Sequence, residues 1–134
     1  MGDRGHVTIE QYGDNDPVVL YTHWHARNLP AIVAEALSHQ QRWGDPEYLA
    51  RIIFDHISAK ASEFTGAGIG TAVHGDAWRV IEIDPESQVG EDIHFAEGHG
   101  YGDDTYGGET YCFEGFIREF GTTESIERLE SDSD

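Results

Sequence analysis

Residues 18–54, VVLYTHWHARNLPAIVAEALSHQQRWGDPEYLARIIF, hold the densest apolar periodicity of the chain, two of its three tryptophans and its two clearest helices. The run from Val18 to Trp24 is mostly apolar, the pattern of a strand covered on both faces. Asn28 stands where a helix N-cap is expected, and Pro30 falls in the first turn, where no backbone donor is missed. Leu29, Ile32, Val33, Ala36, Leu37 and Gln40 then repeat with the spacing of an amphipathic helix that should end near residues 42–44. A second helix is signalled by Asp45 as N-cap, Pro46 at the first helical position and Glu47 near the positive end of the helix dipole. Its apolar stripe is Leu49, Ile52, Ile53, His56 and Ile57, and Arg42, Glu47 and Arg51 lie off that stripe, where they are solvated or paired.

Upstream, Val7 and Ile9 alternate with Thr8 and Glu10 in the period of a half-buried strand. The turn formers of residues 13–17, GDNDP, join it to the apolar strand as an antiparallel hairpin. Downstream, residues 66–70, GAGIG, bring a phosphate-cradling loop to mind. That loop needs a lysine that is missing here, and the segment follows a helix and precedes a strand, the reverse of the dinucleotide-binding order, so a turn is the better reading. Residues 69–74 and 78–83 are strand-like around Gly75, Asp76 and Ala77, giving a second hairpin. Residues 85–88 turn the chain again. Glycine, acid and tyrosine dominate from Gly90 to Tyr111, which reads either as a loop that orders on binding or as a long excursion, and loops of this length are functional or disordered. Phe113, Phe116, Ile117 and Phe120 predict a short docking helix, and residues 122–134, with only Ile126 and Leu129 apolar, are expected to fray.

The predicted fold is therefore α+β. A single antiparallel sheet of about four strands, built from two hairpins, is packed on one face by two consecutive helices and closed by a short C-terminal helix. Residues 1–121 make one domain, with its core in about 6–95. A chain of 134 residues suits one domain, whose folding removes roughly two-thirds of the unfolded surface from water.

Charge is the extreme property: 26 acidic against 8 basic residues give a net charge of −18, and Lys60 is the single lysine. Such like charge pushes a compact state apart at low ionic strength, whereas at ~1 M salt the screening length falls to about 3 Å. The acid excess and near-absence of lysine resemble the cytoplasmic proteins of salt-accumulating archaea, whose acidic surfaces hold hydrated potassium or sodium. With no basic patch, the chain cannot gain affinity by displacing phosphate counterions, so direct nucleic-acid binding is not expected. The same charge fits an acidic mimic of nucleic acid. The single cysteine, Cys112, excludes an internal disulfide and a multi-cysteine zinc site, and Phe113 beside it points to burial. No apolar run of about 18 residues and no leader pattern is present, so the expectation is a cytoplasmic protein with no membrane partner.

For chemistry, His23-Trp24-His25 on a strand would point both imidazoles to one side, where they could share zinc or manganese with His94 or His99, or with His74, Asp76 or Glu97. The plainer reading is a hydrogen-bonded strand histidine, since eight histidines make chance pairs common and no established metal motif is present. No cofactor is predicted outright. Glu82 and Asp84, two apart on one strand, are candidates for paired acid–base work or else face solvent on an edge. Asp103, Asp104 and Glu109 lack the spacing of a calcium loop. The tryptophans and tyrosines exceed a minimal core and suit a contact surface, or wedge sheet against helices.

Several elements together resemble a family of small phage, prophage and bacterial proteins. They are Leu20 to Trp24, Leu29-Pro30, Ala36-Leu37, Arg42-Trp43, Asp45, Tyr48 to Phe54, Gly66 with Gly68-Ile69, Asp76, Ile81, Ile83-Asp84 and Gln88. The resemblance covers about residues 18–90 and brings no activity with it. It implies that His25, which stands where the family has a small residue, is a local variation. His23, Trp24, Arg42, Trp43, Asp45, Tyr48 and Arg51 remain as the candidate binding set.

The reading is of a cytoplasmic accessory protein of a virus or mobile element, a protein-binding module adapted to high salt that acts on a host or viral protein, and more a binder than an enzyme. The alternative is a metal-dependent hydrolase using the His23 and His25 pair, and the third reading is the nucleic-acid mimic.

Overall fold

A computed structural model of the chain describes residues 5–13, 15–22, 28–60, 67–70, 79–95 and 106–131. In chain order these form β1 (Gly5–Ile9), β2 (Val18–Thr22), α1 (Leu29–Ser38), α2 (Pro46–Lys60), β3 (Ala67–Gly70), β4 (Arg79–Asp84), β5 (Val89–Phe95), β6 (Tyr106–Cys112), α3 (Phe113–Phe120) and α4 (Thr123–Ser131). The class is α+β, as expected, but the sheet is larger and mixed. Its order is β3-β2-β1-β4-β5-β6. β1 pairs antiparallel with β2 and parallel with β4, placing Val7 beside both Leu20 and Ile81.

Alternation sorts every strand onto two faces. One carries Val7, Ile9, Leu20, Ile81 and Ile83, which are buried in a single cluster with residues of the helices. The other carries His6, Thr8, Val19, Val80 and Ile93, also buried, and, toward one end, Glu82 and Glu91. α2 lies on β1 and β2, α3 lies on β5 and β6, and α1 meets all three other helices. That position explains why α1 exceeds its amphipathic reading: Leu29, Pro30, Ile32, Val33, Ala34, Ala36, Leu37 and Ser38 are all buried. Asn28 does occupy the N-cap position of α1, but its side chain makes no capping bond. Asp45 does cap α2, its Oδ1 accepting from the Tyr48 amide at 3.2 Å.

Several expectations change. The second hairpin does not exist as such, because β3 lies at the sheet edge beside β2 and β4 lies beside β1, so two strands separate them. At that edge Gly68 lies close under the Tyr21 side chain: a Cβ there would lie 2.5 Å from the Tyr21 hydroxyl oxygen, so the ring would have to shift. The stretch from Gly90, read as an excursion, supplies most of β5 and β6, which pair antiparallel from Val89 with Cys112 to Phe95 with Tyr106. Its glycines serve close packing. Gly90 lies under Phe116, where a Cβ would approach the ring to 3.2 Å. Tyr111 turns inward, its ring edge-on to Phe116 and Phe120 at 6.0 and 5.4 Å. Cys112 is exposed rather than buried, because it ends β6 and caps α3, with Sγ accepting from the Gly115 amide at 3.3 Å.

The core also extends beyond residue 95, through Phe113, Phe116, Ile117 and Leu129. Residues 123–131 of the segment expected to fray form α4. Leu129 is buried, the Thr122 hydroxyl caps the helix by accepting from the Ser125 amide at 3.1 Å, and Arg128 Nη1 donates to Ser38 Oγ at 2.8 Å. Two apolar residues are enough to dock a helix when a charged side chain can reach an established helix end. No helix among the described residues is long and apolar enough to cross a membrane.

Candidate functional site

The corner between α1 and α2 gathers five of the seven residues in the sequence-derived binding set. After α1 the chain turns sharply, with Gln40 at φ 54° and Arg42 at φ 59°. Left-handed backbone costs a side-chain-bearing residue roughly 1–2 kcal/mol, so neighbouring bonds must hold the turn. They do: the Gln40 amide donates to the Leu37 carbonyl at 2.9 Å and the Asp45 amide to the Arg42 carbonyl at 3.0 Å. Trp43 fixes the corner from inside, its Nε1 donating to the Leu37 carbonyl at 3.0 Å and its ring standing edge-on to Phe113 at 5.3 Å. From the sheet, the Tyr12 hydroxyl donates to the Gly44 carbonyl.

These contacts divide the candidate set by role. Trp43 and Asp45 are structural, one a wedge and the other a cap. Arg42, Tyr48 and Arg51 face outward. Tyr48 is 41% exposed and has two guanidinium groups over its ring, with Arg42 Cζ 4.9 Å and Arg51 Cζ 5.7 Å from the centroid. Arg51 also stands 3.7 Å from Asp55, an exposed pair of little energetic weight, whereas no carboxylate pairs with Arg42 among the described residues. Stacked guanidinium groups keep their N–H edges free, and those edges match carboxylate or phosphate oxygens two at a time. In a chain of net charge −18, Arg42 and Arg51 are two of the eight lysine and arginine side chains.

His23, Trp24, His25 and His99 lie outside the described residues, as do His74, Asp76, Glu97, Asp103 and Asp104. His94 occupies the β5 position paired with Arg79. Among the described residues no group of three or more histidine, cysteine or acidic side chains is placed to hold a metal ion.

A second feature lies on the opposite face of the sheet. Glu10, Glu82, Asp84, Glu86 and Glu91, with Tyr12 and Thr110, line an open groove of about 340 Å³. Glu82 and Asp84 do share a face, but β4 is an inner strand, so the edge reading of this pair is corrected. Asp84 is already engaged in the β4–β5 turn, its Oδ1 accepting from the amides of Glu86 at 3.1 Å and Ser87 at 3.3 Å. The partner that strand spacing could not reveal is Glu91, directly across from Glu82 in β5, joined by Glu10 from the end of β1. Burial, then Glu91, then Glu10 hold the Glu82 carboxyl above the usual range. Only the register between strands brings these acids together.

Compared with known protein families, curated proteins and solved structures, the chain matches none.

Proposed function

We propose that this chain is a protein-binding module that receives an anionic segment of its partner on the α1–α2 corner. The observation that carries the reading is Tyr48, an exposed aromatic ring with the guanidinium groups of Arg42 and Arg51 over it, in a chain of net charge −18. Tyrosine and arginine contribute disproportionately to protein contacts, because both bring planar area together with polar edges. A carboxylate-bearing strand or helix end would gain paired hydrogen bonds from the guanidinium edges and apolar contact with the ring. At multimolar salt the long-range attraction is screened, and these short-range contacts would carry the affinity. The partner class is a host or viral protein, and the chain acts in the cytoplasm as an accessory protein of a virus or mobile element. That last part is supported by the resemblance of residues 18–90 alone, and the high-salt setting by the charge alone.

The test is capture from native host lysate in multimolar potassium chloride, with bound proteins identified by mass spectrometry. The expected result is one stoichiometric partner that Tyr48→Ala reduces at least about tenfold, the scale of a contact residue worth more than 1 kcal/mol. Equal capture by wild type and by both Tyr48→Ala and Arg42→Ala would sink the assignment of this surface.

A second reading is favoured by the Glu82 carboxyl, raised by burial and by Glu91 beside a groove that a small molecule could enter. A carboxyl whose proton affinity is raised, set beside a second carboxyl, is the arrangement from which acid–base pairs are built. Turnover in a small-molecule screen that disappears in both Glu82→Gln and Glu91→Gln would favour this reading over binding.

A further inference from the structure

The corner where α1, α2 and α4 meet holds a group of ionisable side chains that the binding surface does not use. His39 follows the last turn of α1, its amide bonded to the carbonyls of Ala36 and Leu37. Its ring lies 5.2 Å from that of His56 in α2, centroid to centroid, tilted by 42°. α4 reaches the same place through two bonds: Arg128 Nη1 to Ser38 Oγ at 2.8 Å, and Gln40 Nε2 to the Leu129 carbonyl at 3.2 Å. Arg128 is itself held by Glu124 at 3.2 Å. The half-buried His56 is thus faced by Glu35 and His39 from α1, by Arg128 from α4 and by Asp55 from its own helix.

We propose that this corner is an acid-sensitive latch on α4. While the His56 imidazole is neutral, Arg128 rests on Ser38 and Leu129 stays covered. When it takes up a proton, a new cation stands near the Arg128 guanidinium in a partly desolvated corner, and α4 releases. The carboxylates of Glu35 and Asp55 oppose this, while burial, His39 and Arg128 favour the neutral ring. Burial is the largest influence, so His56 binds its proton less readily than an ordinary histidine.

The direction follows from linkage. A histidine whose affinity for protons is lowered by folding contributes stability that is complete above about pH 6.5. That contribution is lost as the pH falls through the window between the unfolded value and the lower folded one. Carboxylates ordinarily titrate below this window, so they do not account for a change within it. Release would uncover Leu129 and its place in the helix layer, exposing an apolar stripe that also includes Ile126.

Hydrogen exchange on the full chain at pH 8 and pH 5.5, in the same salt and normalised to chemical exchange rates, tests the latch. Wild type should lose more protection in α4 than in β1 and β4 on acidification, since one linked proton acts on α4. His56→Gln and His39→Gln should each reduce that difference. Should either variant fail to fold, nuclear magnetic resonance titration of the wild-type His56 imidazole supplies the same decision, since its midpoint must coincide with the loss of α4 protection. Equal behaviour of α4 and β4 in wild type, an unchanged loss in the variants, or midpoints that do not coincide would each overturn the latch.

Discussion

The two faces of the sheet are built from the same strands, yet they do different physical work. In β4, Ile81 and Ile83 point into the helix layer and are fully buried, while Glu82 and Asp84, between and after them, point to the other face and reach the groove. In β1 the same split separates Val7 and Ile9 from Thr8 and Glu10. On the helix face the free energy comes from removing apolar area from water, which is non-directional and tolerant of salt. Near the groove, acids from three strands are held together against their mutual repulsion. The helix face therefore stabilises the fold, and the groove end of the other face draws on that stability to keep Glu82 in a setting it would avoid in the unfolded chain.

Phe116→Ala should break the comparison at its strongest point. The ring lies over Gly90 and touches Phe120 and Tyr111, so its removal opens a cavity between α3 and the sheet. Equilibrium unfolding in fixed salt should show a loss of about 3–5 kcal/mol, with the groove acids lost together with the core. Asp45→Ala tests a local contribution on the helix side. With the Tyr48 amide left without its acceptor, the expected loss is ~1 kcal/mol, seen as a lower unfolding midpoint with an unchanged denaturant slope.

Glu82→Gln reverses the sign. Because folding raises the proton affinity of Glu82, the native state binds more protons than the unfolded state between the unfolded and folded values, and stability falls as pH rises through that interval. A glutamine removes this penalty. The variant should melt higher than wild type at pH 7, by about 2 °C, a gain kept small by solvent screening of a half-exposed group. The difference should vanish as the pH drops below the ordinary carboxylate range. A variant less stable than wild type at pH 7 would show that the Glu82 charge is satisfied and that the groove carries no stored cost.

Local signals in the sequence were legible wherever they depend on neighbours along the chain. Asp45 and Pro46 mark the start of α2, Phe113, Phe116, Ile117 and Phe120 mark α3, and the alternation of residues 79–84 marks β4. What was missed depends on neighbours in space. The glycines of residues 90 and 107–108 depress strand propensity, yet β5 and β6 form because Gly90 admits Phe116 and Ile93 finds a buried place on the far face. The 122–134 segment looked too acidic to dock, and nothing local announces that Arg128 and Gln40 span about ninety residues to tie α4 to α1. The candidate site divides in the same way. Tyr48, Arg42 and Arg51 were named from one contiguous stretch, whereas Glu10 and Glu91 join Glu82 only through pairing with β1 and β5.

The sequence by itself determined the α+β class, the two helices of residues 29–60, the inward and outward faces of each strand it revealed, and a surface of extreme negative charge. These follow from periodicity, capping chemistry and composition, which act over a few residues or over the chain as a sum. Only the tertiary structure decided that β1 lies parallel to β4, that two strands separate β3 from β4, and which residues of the α1–α2 corner face outward. Strand order and register are set by contacts among residues far apart in sequence, where burial and hydrogen bonding outweigh what any local stretch prefers.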